Sequence, residues 1–312
     1  MQIFLDLMLA AGKTGFNLAF FVLMPIMVFM MAFMRVLDHQ GVLRLAAIVV
    51  APVLLVFGLP GLGAFAILQI LLVSFAGPVS TFRIMDQDVE ISDRKISSSL
   101  AAILTMSQAN ATFPLVVVGL DLPFTMATSV AGGLLASFMT YRIFARDLDD
   151  HVEKSAAEEI KKETQKQKLV QTIMIGAEEG FQLVMKALPM LVLAVLLVNV
   201  LKAVGAIKLI ETIFAPILSL VGISGAAVLS IVTKYIAGGT AMMGATMPMI
   251  QEKTMTAVEL NKIAGFTINP LDPVGVAVLV SSGKRVAAFA IPALKGAAVG
   301  ILFRGIIHLV VY

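Results

Sequence analysis

Thr267-Ile268-Asn269-Pro270-Leu271-Asp272-Pro273 interrupts an apolar segment, 263–280, in which a continuous helix is expected. Each proline removes a backbone N–H and clashes with the turn before it. The residue ahead of each proline is also pushed out of the helical region. Two prolines three positions apart, with Asn and Asp among them, therefore break the helix. In a bilayer, broken backbone is tolerated only where it is buried in protein or lines a cavity. An ionisable Asp272 at such depth is a candidate functional group.

The rest of the chain supplies the bilayer. Of 312 residues, 59% are hydrophobic and only 14% charged, with a mean hydropathy of +0.97. Soluble domains carry about 25% charged residues, so the composition is that of an all-α polytopic membrane protein. Several runs reach the ~20 apolar residues needed to cross ~30 Å of hydrocarbon. The net charge of +3 fits basic cytoplasmic loops better than a nucleic-acid partner, and none is expected. The absence of cysteine excludes disulfides and thiolate metal sites. Residues 1–14 read as a short interfacial helix without the basic flank of a signal peptide.

The only long hydrophilic run, 145–170, is rich in Ala, Glu, Lys and Gln and reads as a solvated helical linker. It separates a first membrane repeat, 1–144, from a second, 171–312. The halves align at a constant offset of 164, which pairs Pro25 with Pro189, Gly41 with Gly205, Pro52 with Pro216, Gly58 with Gly222 and Gly61 with Gly225. With 24 Gly and 12 Pro in the chain, five coincidences at one offset exceed chance. After small gaps, Asn110-x-x-x-Pro114 falls on Asn269-x-x-x-Pro273, which sets Asp272 against Phe113, and Arg142 falls near Arg304. Paired interrupted segments in two repeats point to a transporter binding site. Arg146, Lys154, Lys161, Lys162, Lys166 and Lys168 place the linker in the cytoplasm. Five crossings per half would invert the repeats, leaving Lys13, Lys202, Lys208, Lys253, Lys262 and Arg304 outside. Four crossings, with 207–220 lying in the interface, would make them parallel. The inverted arrangement fits the charge bias better.

Gly176-Ala177-Glu178-Glu179-Gly180-Phe181-Gln182, Ala187-Leu188-Pro189, Val204-Gly205-Ala206, the 215–222 stretch Ala-Pro-Ile-Leu-Ser-Leu-Val-Gly and Gly238-Gly239-Thr240 together resemble the nucleoside-recognition, or Gate domain, family of membrane proteins. The resemblance is closest to the spore-maturation protein A/B type. Residues 12–81 look like a second, more divergent copy. Gate domains also occur in ferrous-iron transporters and are similar to part of the concentrative nucleoside transporters. The resemblance implies two repeats of four to five membrane segments with broken or re-entrant helices, and transport of a small polar solute or ion. Lys234-Tyr235-Ile236-Ala237 stands where the spore-maturation type would carry a basic-Pro-Leu-Ser-Gly pattern, which leaves the ligand open.

The candidate site residues are Ser107, Gln108, Asn110, Lys234, Gly238, Gly239, Thr240, Asn269 and Asp272. Each has a plainer reading beside the functional one. Lys234, expensive at the bilayer centre, would contact an anionic group or pair with Asp272, or would snorkel to an interface. Asp272 would hold a cation, a proton or a hydroxyl, or cap the next helix; both can hold at once. Asn110 and Asn269 would offer donor and acceptor to a polar ligand, or satisfy backbone freed by Pro114 and Pro273. Ser107, Gln108 and Thr112 extend a polar patch that also suits helix packing. Gly238 and Gly239 would let backbone approach a ligand or a neighbouring helix.

Asp86, Asp88, Glu90 and Asp93 have the composition of a hard-cation site without calcium-loop spacing and read as a solvated loop. His39, His151 and His308 are too scattered for a metal triad. No phosphate loop, nucleophile elbow or zinc helix is present, so no enzyme, metal or cofactor is expected. The reading is a multi-pass transporter of the inner (plasma) membrane, its partners the lipid bilayer and a small solute, nucleoside-like or anionic, with room for a homo-oligomer. A membrane assembly or signalling partner acting through the linker, or an ion channel, is the alternative.

Overall fold

A computed structural model describes residues 2–74, 77–150, 168–205, 209 and 222–312. The described residues are helical throughout, without a strand. α1 (Gln2–Asn17) passes through a π turn (Leu18–Leu23) into α2 (Met24–His39). The turn widens just ahead of Pro25, whose missing N–H cannot close the ordinary bond four residues back. The described part of 1–14 belongs to α1, which runs on into a 36-residue apolar rod, Phe4–His39, rather than forming a separate interfacial helix.

Gly41, with φ +75°, turns the chain into α3 (Val42–Leu54), which ends in a 3-10 turn, Leu55–Phe57. α4 (Gly61–Leu68) runs on as a π turn (Gln69–Val73), and α5 (Gly77–Gln87) follows. α6 (Asp93–Thr105) and α7 (Ala109–Val116) are two pieces of one broken segment, followed by α8 (Leu122–Met139) and its π extension, Thr140–Phe144. The second half opens with the long α9 (Leu169–Ala203). Then come α10 (Gly225–Ala237), α11 (Gly239–Gln251), the broken pair α12 (Ala257–Thr267) and α13 (Pro273–Val280), the short α14 (Lys284–Ala288) and α15 (Ala290–Val311).

Four of these helices are long and apolar enough to cross a membrane: Phe4–His39, Leu122–Phe144, Leu169–Leu201 and Ala290–Val311. Leu45–Phe57 and Gly61–Val73, bent by 113°, make a fifth if taken as one span. α10 and α11 instead form a hairpin about Gly238: Thr246 Oγ1 donates to Ser230 Oγ at 2.8 Å, eight residues to either side of the turn. Each 13-residue arm is about 20 Å long at 1.5 Å per residue, shorter than the ~30 Å hydrocarbon layer. The 61–87 segment folds back similarly, with Thr81 Oγ1 donating to Gln69 Oε1 at 2.7 Å.

The boundaries of the halves recur 164 positions apart. Gly61–Val73 corresponds to Gly225–Ala237 and Ala109–Val116 to Pro273–Val280, while Asp93 and Ala257 open equivalent helices. Ser92 and Thr256 cap those two helices in the same way, each accepting from the N–H three residues on. This register corrects the sequence alignment beyond residue 105. The counterpart of Asp272 is Gln108, not Phe113, and Asn110 corresponds to Val274 rather than Asn269. The proline spacing misled because Pro114 sits inside α7 whereas Pro273 begins α13, where its missing N–H costs nothing.

The halves interlock. One apolar core runs from Ala47 through Ala136 and takes in Leu279, Ala293 and Ala297. The other joins Leu18 and Met27 to Leu191, Met243 and Ile263. α2 and α9 lie antiparallel in close contact: a Cβ added at Gly180 would meet the carbonyl oxygen of Met27 at 2.5 Å, and one at Gly176 that of Met31 at 2.7 Å. Arg285 ties the acidic turn together. Its Nε donates to Asp93 at 2.8 Å and its backbone N–H to Asp86 at 2.7 Å. Those carboxylates are thus structural rather than solvated, and no cluster suited to a metal ion occurs among the described residues. Most of the expected linker helix, 151–167, lies outside the described residues, as do Pro216 and nearly all of 207–220.

Candidate functional site

Asp272 is the N-cap of α13. One carboxylate oxygen, Oδ1, accepts from the Gly275 N–H at 2.8 Å. The other receives Lys234 Nζ from the last turn of α10. Lys234 is 0% exposed and Asp272 6%. A lone charge there would face a desolvation penalty of several kcal/mol, which the opposite charge and the cap hydrogen bond offset. The capping role and the charged role of Asp272 thus hold together, and Lys234 is paired rather than snorkelling. Gly238, between the hairpin arms, has φ +90°, and a Cβ there would come within 3.3 Å of Asp272 Oδ1. Only glycine adopts this turn without strain.

At the equivalent break in the first half, Gln108 precedes α7 without a side-chain cap. It is 4% exposed, and its carboxamide has no hydrogen-bond partner among the described residues. The amide nitrogen instead lies over Gly239, where an added Cβ would meet it at 2.3 Å. The two halves therefore touch at their breaks.

Arg304 serves both breaks from behind. It is fully buried in α15, not in an outer loop as the charge bias suggested. Its Nη1 donates to the carbonyls of Thr105 and Ile268, at the C-terminal ends of α6 and α12, and its Nη2 donates to Ser107 Oγ at 2.7 Å. A cation at two helix C-termini satisfies orphan carbonyls and opposes the negative dipole ends. Gly132 makes the room, since a Cβ there would meet Arg304 Cγ at 2.4 Å.

A cavity of about 300 Å³ opens where these breaks meet. Of the sequence candidates, Gln108, Asn110, Gly238, Gly239, Thr240 and Asp272 line it. Three do not. Lys234 stands behind Asp272, and Ser107 faces Arg304. Asn269 is fully buried and satisfied locally, donating to the Phe266 carbonyl at 2.7 Å and accepting from the Leu271 N–H at 3.0 Å. Its backbone-satisfying role is the one the structure shows. Sequence reasoning missed Lys186, which lines the cavity from α9 beside Leu183 and Val184. The signal was there, a lone lysine in an apolar span.

A second cavity of about 310 Å³ lies further along α2 and α9, lined by Arg35, Asp38, Gln69, Ser74 and Glu179 among others. Arg35 Nε donates to Glu179 Oε2 at 2.8 Å and its Nη2 to Glu179 Oε1, bridging the two helices. Leu183 and Lys186 line this cavity as well as the first.

The geometry has counterparts among solved structures. The chain is similar to CNTnw, a concentrative nucleoside transporter. It matches an inward-facing, substrate-bound structure with a TM-score of 0.65 at 16% identity, over 92% of this chain and 74% of that one. It matches an outward-facing variant with 0.69 at 17%, over 92% and 74%, and an intermediate state with 0.69 at 17%, over 93% and 75%. No protein-family model and no curated protein matches the chain. At this identity the likeness is one of fold, and the fold is that of a helical, multi-pass membrane transporter.

Proposed function

We propose that the protein is a secondary transporter that binds a small polar solute in the cavity between the two breaks and exchanges it across the membrane by alternating access. The observation that carries this reading is the convergence on one cavity of the N-terminal ends of α7, α11 and α13, each opened by a break or a tight turn within a membrane segment. Such ends present free N–H groups and positive dipole ends to a ligand. The similarity to inward-facing, intermediate and outward-facing structures of one transporter supports a mechanism that alternates access.

The 164-residue register supports two repeats. Their inversion is supported by α9 lying antiparallel to the rod it corresponds to: Gly15 approaches Val192 while Gly180 approaches Met27. In this reading the 145–170 linker is cytoplasmic and the chain is akin to the spore-maturation type of Gate protein. The test is uptake into proteoliposomes of labelled nucleosides and small organic anions. Gln108→Ala and Thr240→Ala, which leave the ion pair and the Arg304 network untouched, are expected to lose most of the uptake. Full uptake by both variants would remove the cavity from the pathway.

A further inference from the structure

The charges around the cavity do not cancel. Asp272 presents no free carboxylate, because its two oxygens are taken by Lys234 and by the Gly275 N–H. Lys186 remains. Among the described residues it makes no hydrogen bond or ion pair, and it lines the cavity directly. The acids of the second cavity do not answer it, because Arg35 engages Glu179 in a two-point bridge and stands 3.9 Å from Asp38. The positive ends of α7, α11 and α13 add to the same sign; of the negative ends, those of α6 and α12 are held by Arg304, and that of α10, at Ala237 on the cavity wall, carries Lys234 in its last turn. Beside this positive field, the buried carboxamide of Gln108 offers an unused donor and acceptor.

We infer that the transported solute is a small organic anion, its acid group held by Lys186 and the helix N-termini and its uncharged body hydrogen-bonded by Gln108. This deepens the transporter reading and rests on it. The position of Lys186 gives it a second part. Met27 of α2 borders the first cavity and Met31, one turn on, borders the second. On α9, Leu183 and Lys186 belong to both. Lys186 thus faces both cavities, and the same cation that favours an anion in the first favours it in the second.

The absence of cysteine makes the field measurable without knowing the solute. Thr240→Cys and Val274→Cys each place a single thiol on the cavity wall. Their rates with an anionic sulfonatoethyl and a cationic trimethylammonioethyl methanethiosulfonate are compared, each normalised to a free thiol in solution. The expected result is a preference for the anionic reagent on the order of tenfold, largely abolished by Lys186→Gln, because the two reagents differ by two unit charges within the cavity that the ammonium lines. Nicotinate should slow the labelling and nicotinamide, its uncharged match, should not. Equal rates, a cationic preference or protection by nicotinamide alone would overturn the anion inference and leave the transporter reading standing. If neither reagent reaches either thiol in folded protein, the cavity is sealed and the transporter reading fails with it.

Discussion

The break ahead of α7 and the break ahead of α13 occupy equivalent places in the two halves, yet they are built from opposite chemistry. Gln108 stands at the first, uncharged and without a cap bond. Asp272 stands at the second, capping its helix and paired with a buried lysine. The hairpins differ in step: Ile70 and Lys234, both fully buried, occupy equivalent positions 164 apart. Charge and countercharge thus occur together in one half and are both missing from the other. A carboxylate at the break is sustainable only where the hairpin supplies its partner, since an unpaired buried charge is among the most costly defects a fold can carry.

The largest effect is expected from breaking that pairing. Lys234→Met leaves Asp272 buried and uncompensated and should cost about 3–5 kcal/mol. Lys234→Ile combined with Asp272→Gln gives the second half the chemistry of the first and should recover most of it. Thermal unfolding in detergent of the parent, Lys234→Ile, Asp272→Gln and the double variant closes the cycle, and a coupling below about 0.5 kcal/mol would mean the sites act independently. Next comes the group the halves share. Arg304→Lys keeps the charge but loses the planar fork, which reaches two carbonyls and a hydroxyl at once. An orphaned buried carbonyl costs about 1–3 kcal/mol, so this variant should fall in that range. Stability equal to the parent's would show that the breaks do not depend on Arg304.

A smaller effect separates crowding from backbone strain. Gly205 and Gly238 both have positive φ, at +72° and +90°. A Cβ at Gly205 meets nothing within 4 Å, whereas one at Gly238 presses on Asp272. Gly205→Ala should lose about 1 kcal/mol from conformation alone, and Gly238→Ala should reach the upper part of the 1–3 kcal/mol range for strained positions. Equal losses would show that the hairpin turn does not bear on the ion pair.

How far the sequence disclosed this arrangement depended on the kind of signal. Prolines and glycines act locally, so the broken segments and the glycine and proline pairing as far as Gly61–Gly225 could be read directly, whereas Gly238 was read as a close approach of backbone and not as the hairpin turn it makes. Lys234 and Asp272 stood out because charge is rare in apolar runs. What proline spacing could not show was the register past residue 105, because a proline inside a helix and a proline opening one look alike in sequence. Asn269 stayed open for a related reason: an amide beside proline serves a ligand or its own backbone, and only geometry decides. Lys186 carried the same signal, a lone charge in an apolar span, and was passed over, whereas Arg304 needed tertiary knowledge, since nothing local distinguishes an arginine under two helix ends from one at a membrane surface.

The smallest effect concerns a second junction of the halves, exposed where Arg304 is buried. Tyr312, the last residue after α15, donates its hydroxyl to Asp121 Oδ2 at 2.7 Å, while Asp121 Oδ1 caps α8 by accepting from the Phe124 N–H at 3.0 Å. The Phe124 N–H, with the Tyr312 hydroxyl second, holds the Asp121 carboxyl below its ordinary range. Partial burial, with Asp121 second, pushes the Tyr312 phenol up to about 12. A depressed carboxyl contributes stability above its unfolded value near ~3.9 and loses it as pH falls. A raised phenol contributes below its unfolded value near ~10 and loses it as pH rises through 12. The latch should therefore hold across the whole range between, with Asp121→Asn changing stability little because solvent screens the pair. The sensitive reading is the phenolate absorbance of the three tyrosines: in Asp121→Asn the latest-ionising of them should move back toward pH 10. A titration curve unmoved by the substitution would show that burial alone raises Tyr312, and that the halves are joined at Arg304 without help from their exposed ends.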